Sequence, residues 1–533
     1  MTSGPHAFFT IDIGSATVAA ALVARVDGRW RLLGAAAAPA SVAVDALLGD
    51  LAARASAAEP DLLPDAAAWS DWARVESRTL PPPRLVLAGP SERAAEPLLR
   101  AFTSDGWETT AHVTPERSGA LDAARALRDP DLDLVVVAAP EGLGRGERDA
   151  LADLLALIGA TAALRDGLAV LVAGPAAGTI PQLPSERVTR AHGAGDAAAI
   201  AREMVRARSD GRDAFVRAIA SLAVLLDLRV EGVDVGLDAS TRVLAGPDGV
   251  QRRLIRADAA LVPPIALDDL AVLDRIMRWS PVADDAYVVR DRLRNLRLAP
   301  WRDAAGDGAR LRLAAARAAL AHLDAAWREE AREGRGGAGR SGRRRSDGML
   351  ATPDLLVASG GAFATAPGPA VALALTDTLR RPGAVAMALD HARILAPLGT
   401  LDDESDRRRL LADLLDDLLL PLGSAIVVPG LRPARKGNLR VTVEGSTTTL
   451  PLAPSAVQVV DLPPGLAATA ELDAPDDLFV GTRARRVAFE VAGGIGGLLV
   501  DTREIPLRLP ERPERRREHL DAWQRPLWTN ADP

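Results

Sequence analysis

Phe8-Phe9-Thr10-Ile11-Asp12-Ile13-Gly14-Ser15-Ala16-Thr17-Val18-Ala19-Ala20 is the stretch on which the reading of this chain turns. A run of β-branched and aromatic residues delivers a carboxylate, then a glycine, then two hydroxyls, and apolar alternation resumes at once, the pattern of two strands joined by a tight turn. Gly14 lets a ligand approach the backbone closely, Ser15 and Thr17 offer hydroxyl and amide donors to phosphate oxygens, and Asp12 suits Mg²⁺ held through its waters. The same residues also suit a plain β-hairpin with Asp-x-Gly-Ser turn chemistry. Both readings stay open on this stretch alone.

Composition narrows the choice. At 533 residues the chain exceeds a single core, and 48% hydrophobic with 25% charged residues is ordinary for a folded soluble protein. A net charge of −7 gives no electrostatic case for nucleic acid. There is no cysteine, so disulfides, thiolate metal sites and cysteine nucleophiles are excluded. The only lysine, Lys436, precedes Gly437, which excludes a P-loop. The histidines lack ligand-like spacing, and no apolar run is long enough to suggest a membrane span. The opening Met1-Thr2-Ser3-Gly4-Pro5 lacks a basic-then-apolar signal, and the expectation is a cytoplasmic protein.

Outward from the hairpin, apolar strands alternate with helices. Arg84 to Gly89, Leu132 to Ala139 and Leu168 to Ala173 read as buried strands, and Thr114-Pro115-Glu116 reads as the start of a helix. Gly142, Gly144 and Gly146 lack the GxGxxG spacing and read as a helix-entry turn. The opening arrangement then returns. Asp234-Val235-Gly236 closes a strand, leads into Asp238-Ala239-Ser240-Thr241, and two more strands follow. A third glycine turn, Ser359-Gly360-Gly361, ends the strand that begins at Asp354, and a helix from about Pro369 and a strand from Ala384 to Leu389 come next. Residues 334–348 are dominated by Gly and Arg and cannot bury a core, so a mobile surface loop is expected. A helix near Ser405 to Leu420 is expected to stop at Pro421-Leu422-Gly423, and beyond it short alternating strands indicate an antiparallel β domain, with Gly493 to Gly497 as a hairpin.

Three glycine turns in this order, each at a strand end and spread over two similar halves, resemble the actin-like ATPase superfamily that includes sugar kinases and Hsp70. The resemblance implies an α/β, duplicated, ribonuclease H-like two-lobed fold: lobe I over 7–212, lobe II over 213–425, a C-terminal antiparallel β domain over 431–505 and a charged tail over 506–533. It further implies that Asp12 and Asp234 place Mg²⁺ and the attacking water. Gly14, Ser15, Thr17 and Gly236 would hold the phosphates of ATP, and Ser359, Gly360 and Gly361 would support adenosine.

Within that superfamily, Ser359-Gly360-Gly361-Ala362-Phe363, Ala366-Pro367-Gly368-Pro369-Ala370, Arg381-Pro382-Gly383-Ala384-Val385 and Leu395-Ala396-Pro397-Leu398-Gly399 resemble the glutamate mutase L family, as does Asp12-Ile13-Gly14-Ser15. That resemblance covers most of the chain, is strongest from Asp354 to Leu401, and implies an ATP-using reactivating or chaperone-type partner of an adenosylcobalamin-dependent mutase. The chain is not expected to be the mutase itself, because Asp390 is followed directly by His391 and no Asp-x-His-x-x-Gly cobalamin motif occurs. Leu237 and Asp238 stand where the family has Gly-Ala, and Ala19 where relatives often carry lysine. These departures leave two readings of turnover, a weak Mg-dependent ATPase or a degenerate, non-hydrolysing scaffold in a protein complex. A small-molecule kinase ranks last, since no base or acceptor pocket is identifiable.

Overall fold

β1 (Ala7–Ile13), β2 (Thr17–Val26) and β3 (Arg29–Pro39) form an antiparallel meander, and β4 (Ala73–Arg78) joins the free edge of β1 in parallel, giving the order β3-β2-β1-β4. Val26 pairs with Arg29, so Asp27-Gly28 is a two-residue turn, and both residues take positive φ (50° and 82°) as such a turn requires. The computed structural model describes residues 6–528 apart from 64–65, 166–167, 181–187, 206–209, 264–268, 284, 302–303, 337–351, 432–436 and 481–482.

The chain divides into two compact units. One comprises Pro81–Ser209 with Leu254–Asp258; the other comprises Met1–Leu80, Asp210–Arg253 and Ala259–Pro533. Residues 81–209, read from sequence with the first lobe, are thus compact in their own right. Their strands β5 (Arg84–Ala88), β6 (Glu108–Val113), β7 (Leu134–Ala138), β8 (Ala169–Ala173) and β9 (Val188–Ala191) are all parallel in the order β6-β5-β7-β8-β9. This is the doubly wound 2-1-3-4-5 arrangement, and it explains why β7 and β8 are apolar throughout: each is buried on both faces. The helix expected from Thr114 begins instead at Ala120. Thr114 O accepts from the amides of Arg117 and Ser118, and Ser118 Oγ donates back to His112 O (2.7 Å), so Pro115 sits in a turn.

In the other unit the opening order is repeated. β10 (Val230–Val235), β11 (Ser240–Gly246) and β12 (Gly249–Arg256) form a second meander, and β13 (Leu355–Ser359) joins β10 in parallel. β14 (Gly383–Leu389) continues the sheet, as does β15 (Leu420–Val427), where sequence reading had expected a stop. Pro421 and Gly423 are accommodated by an irregularity in the β14–β15 register, Gly423 taking φ +111°.

Residues 431–505 supply the expected antiparallel sheet, β16 (Gly437–Val443), β17 (Ser446–Leu452), β19 (Ala467–Phe479) and β20 (Arg483–Ala492), in the order β17-β16-β19-β20. They also lend β18 (Val457–Val460) and β21 (Leu498–Asp501) to the large sheet, which runs β12-β11-β10-β13-β14-β15-β21-β18. Gly493 to Gly497 is therefore not a hairpin. It carries the chain from one sheet to the other, pressed against Leu422-Gly423 so closely that a Cβ on Gly494 or Gly496 would strike that backbone. The tail forms a helix, Pro513–Trp528, with Trp528 buried and Trp523 stacked under the Arg503 guanidinium. Of the Gly/Arg stretch 334–348, the helix Gly306–Gly336 takes the first residues, and the remainder lies outside the described residues.

Two meanders of identical order, each extended in parallel by a fourth strand, make this a duplicated α/β fold of the actin-like, ribonuclease H-like type. One helix, Gly211–Leu226, ties the two sheets together: Phe215, Ala218, Ile219 and Leu222 pack in a single core with Phe8 and Ala21 of the first sheet and Val230 and Val243 of the second. That shared core fixes the separation of the two carboxylate-bearing strand ends.

Candidate functional site

Asp12 and Asp234 occupy equivalent places. Asp12 lies opposite Ala19 on β2 and Ser77 on β4; Asp234 lies opposite Thr241 on β11 and Ser359 on β13. The turns match as well: the Gly14 amide donates to Thr17 O (2.9 Å) and the Gly236 amide to Ala239 O (3.0 Å). A Cβ at either glycine would crowd the carbonyl its own amide bonds, so both glycines are needed first for turn closure.

Both turns line one cavity of about 460 Å³, within the range of small-molecule sites. It brings together every residue that sequence reading assigned to the site: Asp12, Gly14, Ser15, Thr17, Asp234, Gly236, Ser359, Gly360 and Gly361. Gly360 (φ +102°) is packed against the end of β10, where a Cβ would fall 2.5 Å from Val235 O and closer still to the Asp234 carboxylate. Gly361 faces Thr17 Oγ1 and the Arg393 guanidinium. Both glycines thus sit among the charged and hydroxyl groups of the cavity.

The hydroxyls of the second turn do not reach the cavity. Because Gly236 bonds Ala239, the residue matching Thr17 is Ala239, and Ser240 is already on β11, where its Oγ donates to Ala259 O (2.6 Å). Ser240 and Thr241 are both fully buried. Leu237 and Asp238 do line the cavity, but the Asp238 carboxylate is paired with Arg297 (2.5 Å) from the helix Ala286–Leu298. Its charge is thereby met by a partner rather than left facing the cavity.

Several contributing residues carried no signal readable along the sequence. Ser77 Oγ donates to Asp12 Oδ1 (2.8 Å), which depends on the parallel register of β1 and β4. Asp390, just beyond β14, accepts from Ser359 Oγ (3.0 Å) and from the amides of Ile394 (2.9 Å) and Leu395 (3.2 Å). Arg393 Nη1 donates to Thr17 Oγ1 (2.8 Å) and lies 3.6 Å from Asp12 Oδ2. Arg212 lines the cavity with its terminal nitrogens taken by Asp210 Oδ2 (2.8 Å) and Leu80 O (2.6 Å).

Crowded carboxylates hold protons. Burial, reinforced by the Asp12 charge, pushes the Asp234 carboxyl up to about 7 against the opposing pull of Arg212 and Arg393. Burial likewise raises Asp390 to about 6, partly offset by its hydrogen-bond donors. A divalent cation would relieve this crowding by replacing protons. No cluster of three metal-ligating side chains occurs among the described residues. Leu237, Leu261, Leu296, Pro300, Trp301 and Phe363 add apolar surface to the lining. Among the described residues, no helix is long and apolar enough to cross a membrane.

No protein-family model matches the chain, and no curated protein does either. Among solved structures it is similar to the PilM-PilN type IV pilus biogenesis complex, at 13% identity over 70% of this chain and 85% of that one, TM-score 0.23. It is similar to component A of the (R)-2-hydroxyglutaryl-CoA dehydratase of Acidaminococcus fermentans, at 9% identity over 75% and 98%, TM-score 0.24. It is also similar to the activator of the 2-hydroxyisocaproyl-CoA dehydratase from Clostridium difficile with bound ADPNP, at 9% identity over 76% and 98%, TM-score 0.23. Likenesses this distant carry no argument; the actin-like fold follows from the chain's own repeated strand order.

Proposed function

We propose that the protein binds ATP with Mg²⁺ in the cavity between its two Asp-x-Gly turns and acts as a reactivating or chaperone-type accessory factor, in the cytoplasm, for an adenosylcobalamin-dependent mutase. The observation that carries nucleotide binding is the convergence of two turns with the same backbone hydrogen bond on one cavity, with Gly360-Gly361 between them. The chemistry of the lining supports it. The hydroxyl residues Ser15 and Thr17 and carboxylates suited to a hydrated cation serve a phosphate chain, and the apolar set with Trp301 offers a flat base a surface to lie on. The mutase partner is supported by the motif resemblance to the glutamate mutase L family over 354–401 and by the absence of a cobalamin motif in this chain.

Isothermal calorimetry with ATP and Mg²⁺ tests the first part; binding is expected, and none at millimolar nucleotide removes it. For the second part, the protein with ATP should restore turnover to an adenosylcobalamin-dependent mutase that has stalled with damaged cofactor.

A second reading, a degenerate scaffold that binds without hydrolysing, is favoured by one observation. The second turn presents Leu237 and a paired Asp238 to the cavity and turns Ser240 and Thr241 inward. Nucleotide binding without phosphate release, unaffected in partner assembly by Asp12→Ala, selects it.

A further inference from the structure

Arg393 stands out among the groups of the cavity. It follows the turn that Asp390 closes, adopts a left-handed backbone (φ 55°) uncommon for a non-glycine residue, and reaches across to the first turn. Nη1 bonds Thr17 Oγ1 at 2.8 Å and lies 3.6 Å from Asp12 Oδ2; Nη2 is shut from solvent with no hydrogen-bond partner. A buried guanidinium nitrogen without an acceptor is costly, and a ligand oxygen placed there would remove the cost.

The other cavity arginines are differently engaged. Arg212 is tied to Asp210 and Leu80, and Arg312 donates to Pro300 O. Four carboxylates, Asp12, Asp234, Asp238 and Asp390, line the cavity, of which Asp238 is paired with Arg297, and together they oppose any polyanion. Leu237 and Asp238 make the second turn a poor source of phosphate donors.

We propose that Arg393 is the phosphate-binding cation of the site: when a nucleoside polyphosphate enters, its guanidinium turns from Asp12 to the phosphate oxygens while Thr17 holds it in place. This rests on the nucleotide reading above. It assigns recognition of the β- and γ-phosphates to a residue from the second half of the fold that bridges to the first through Thr17. Asp12 is at the same time released to face the cation that accompanies the phosphates.

The test is calorimetry of the full chain with ATP, ADP and AMP in Mg²⁺, on the wild type and on Arg393→Met, Arg393→Gln and Arg393→Lys. Loss of one charge-assisted contact should weaken ATP by about 10- to 100-fold in the Met variant, leave AMP within about twofold, and be partly restored by Lys. The Gln variant keeps a donor for Thr17 without the charge, and serves if the Met variant fails to fold; thermal melting checks this. Unchanged ATP affinity in the Met or Gln variant overturns the assignment and leaves the nucleotide reading intact. Equal losses for ATP and AMP overturn it by showing a purely structural role. A wild type that binds no nucleotide overturns both.

Discussion

The turn after Asp12 and the turn after Asp234 are built on the same backbone and hold their carboxylates differently. In each, the carboxylate lies directly opposite a serine on the parallel neighbour strand, Ser77 or Ser359. Ser77 turns to its own carboxylate and bonds Asp12 at 2.8 Å, whereas Ser359 turns away to Asp390 at 3.0 Å. Asp12 also has Arg393 nearby and two hydroxyl residues in its turn; Asp234 has the like charge of Asp12 and a turn of Leu-Asp-Ala. The two halves thus give their carboxylates different surroundings, and in the second half burial raises the Asp234 carboxyl to about 7. A duplicated fold therefore does not deliver a duplicated site, because the donors come from side chains that diverge freely while the strand pairing stays fixed.

The sharpest way to break the comparison is at the residue after each serine. Gly360 has no room for a Cβ, whereas the matching place after Ser77 is held by Arg78. Gly360→Ala combines a clash with the Asp234 carboxylate and a positive φ, and is expected to lower stability by about 3 kcal/mol or more in urea denaturation. Arg78→Gly should cost less than about 1 kcal/mol beyond the usual glycine entropy. Equal losses would remove the contrast between the two positions.

A pH series separates the carboxylates next. In the unfolded chain Asp234 is ionised above about pH 4, whereas in the folded protein it keeps its proton up to about 7. The native state therefore binds the extra proton between those values, so stability falls as pH rises from about 4 to 7 and stays lowered above. Asp234→Asn removes that penalty, about 4 kcal/mol at most and less where water reaches the cavity. Its melting temperature should exceed that of the wild type at pH 8 and converge with it near pH 4. A variant that is less stable than wild type at pH 8 would sink the contrast.

The smallest effect compares the serines themselves. Ser77→Ala should weaken binding of Mg²⁺ with ATP by about fivefold, since it loosens Asp12. Ser359→Ala should change affinity less and move the Asp390 titration further above about 6, read by carboxyl-carbon NMR, because it removes a donor that favours the ionised form. Identical behaviour of the two variants would argue that the serines play one role.

Much of this was legible along the chain. Asp12-Ile13-Gly14, Asp234-Val235-Gly236 and Ser359-Gly360-Gly361 each end an apolar strand, and strand ends with glycine are a local signal that survives without knowledge of the fold. The hydroxyls of Ser240 and Thr241 were misplaced because a turn's hydrogen bonding, not its composition, decides which residue leaves the turn and enters the strand. Ser77, Asp390 and Arg393 were not legible, since parallel register and a contact between residues 17 and 393 are tertiary facts with no local pattern. The strand β15 was hidden by Pro421 and Gly423, which mark stops in isolation and an irregular edge in context.

The clasp at Arg212 has a bearing beyond the ligand. Its side chain joins Leu80 to Asp210, the last residue before and the first residue after the inserted segment, and Gly211 packs against Arg78 and Thr79. Exit and re-entry of the polypeptide are thus stitched together at one spot. Residues 81–209 leave and rejoin the rest of the chain at a single doorway, the short span over which a chain insertion costs least closure entropy.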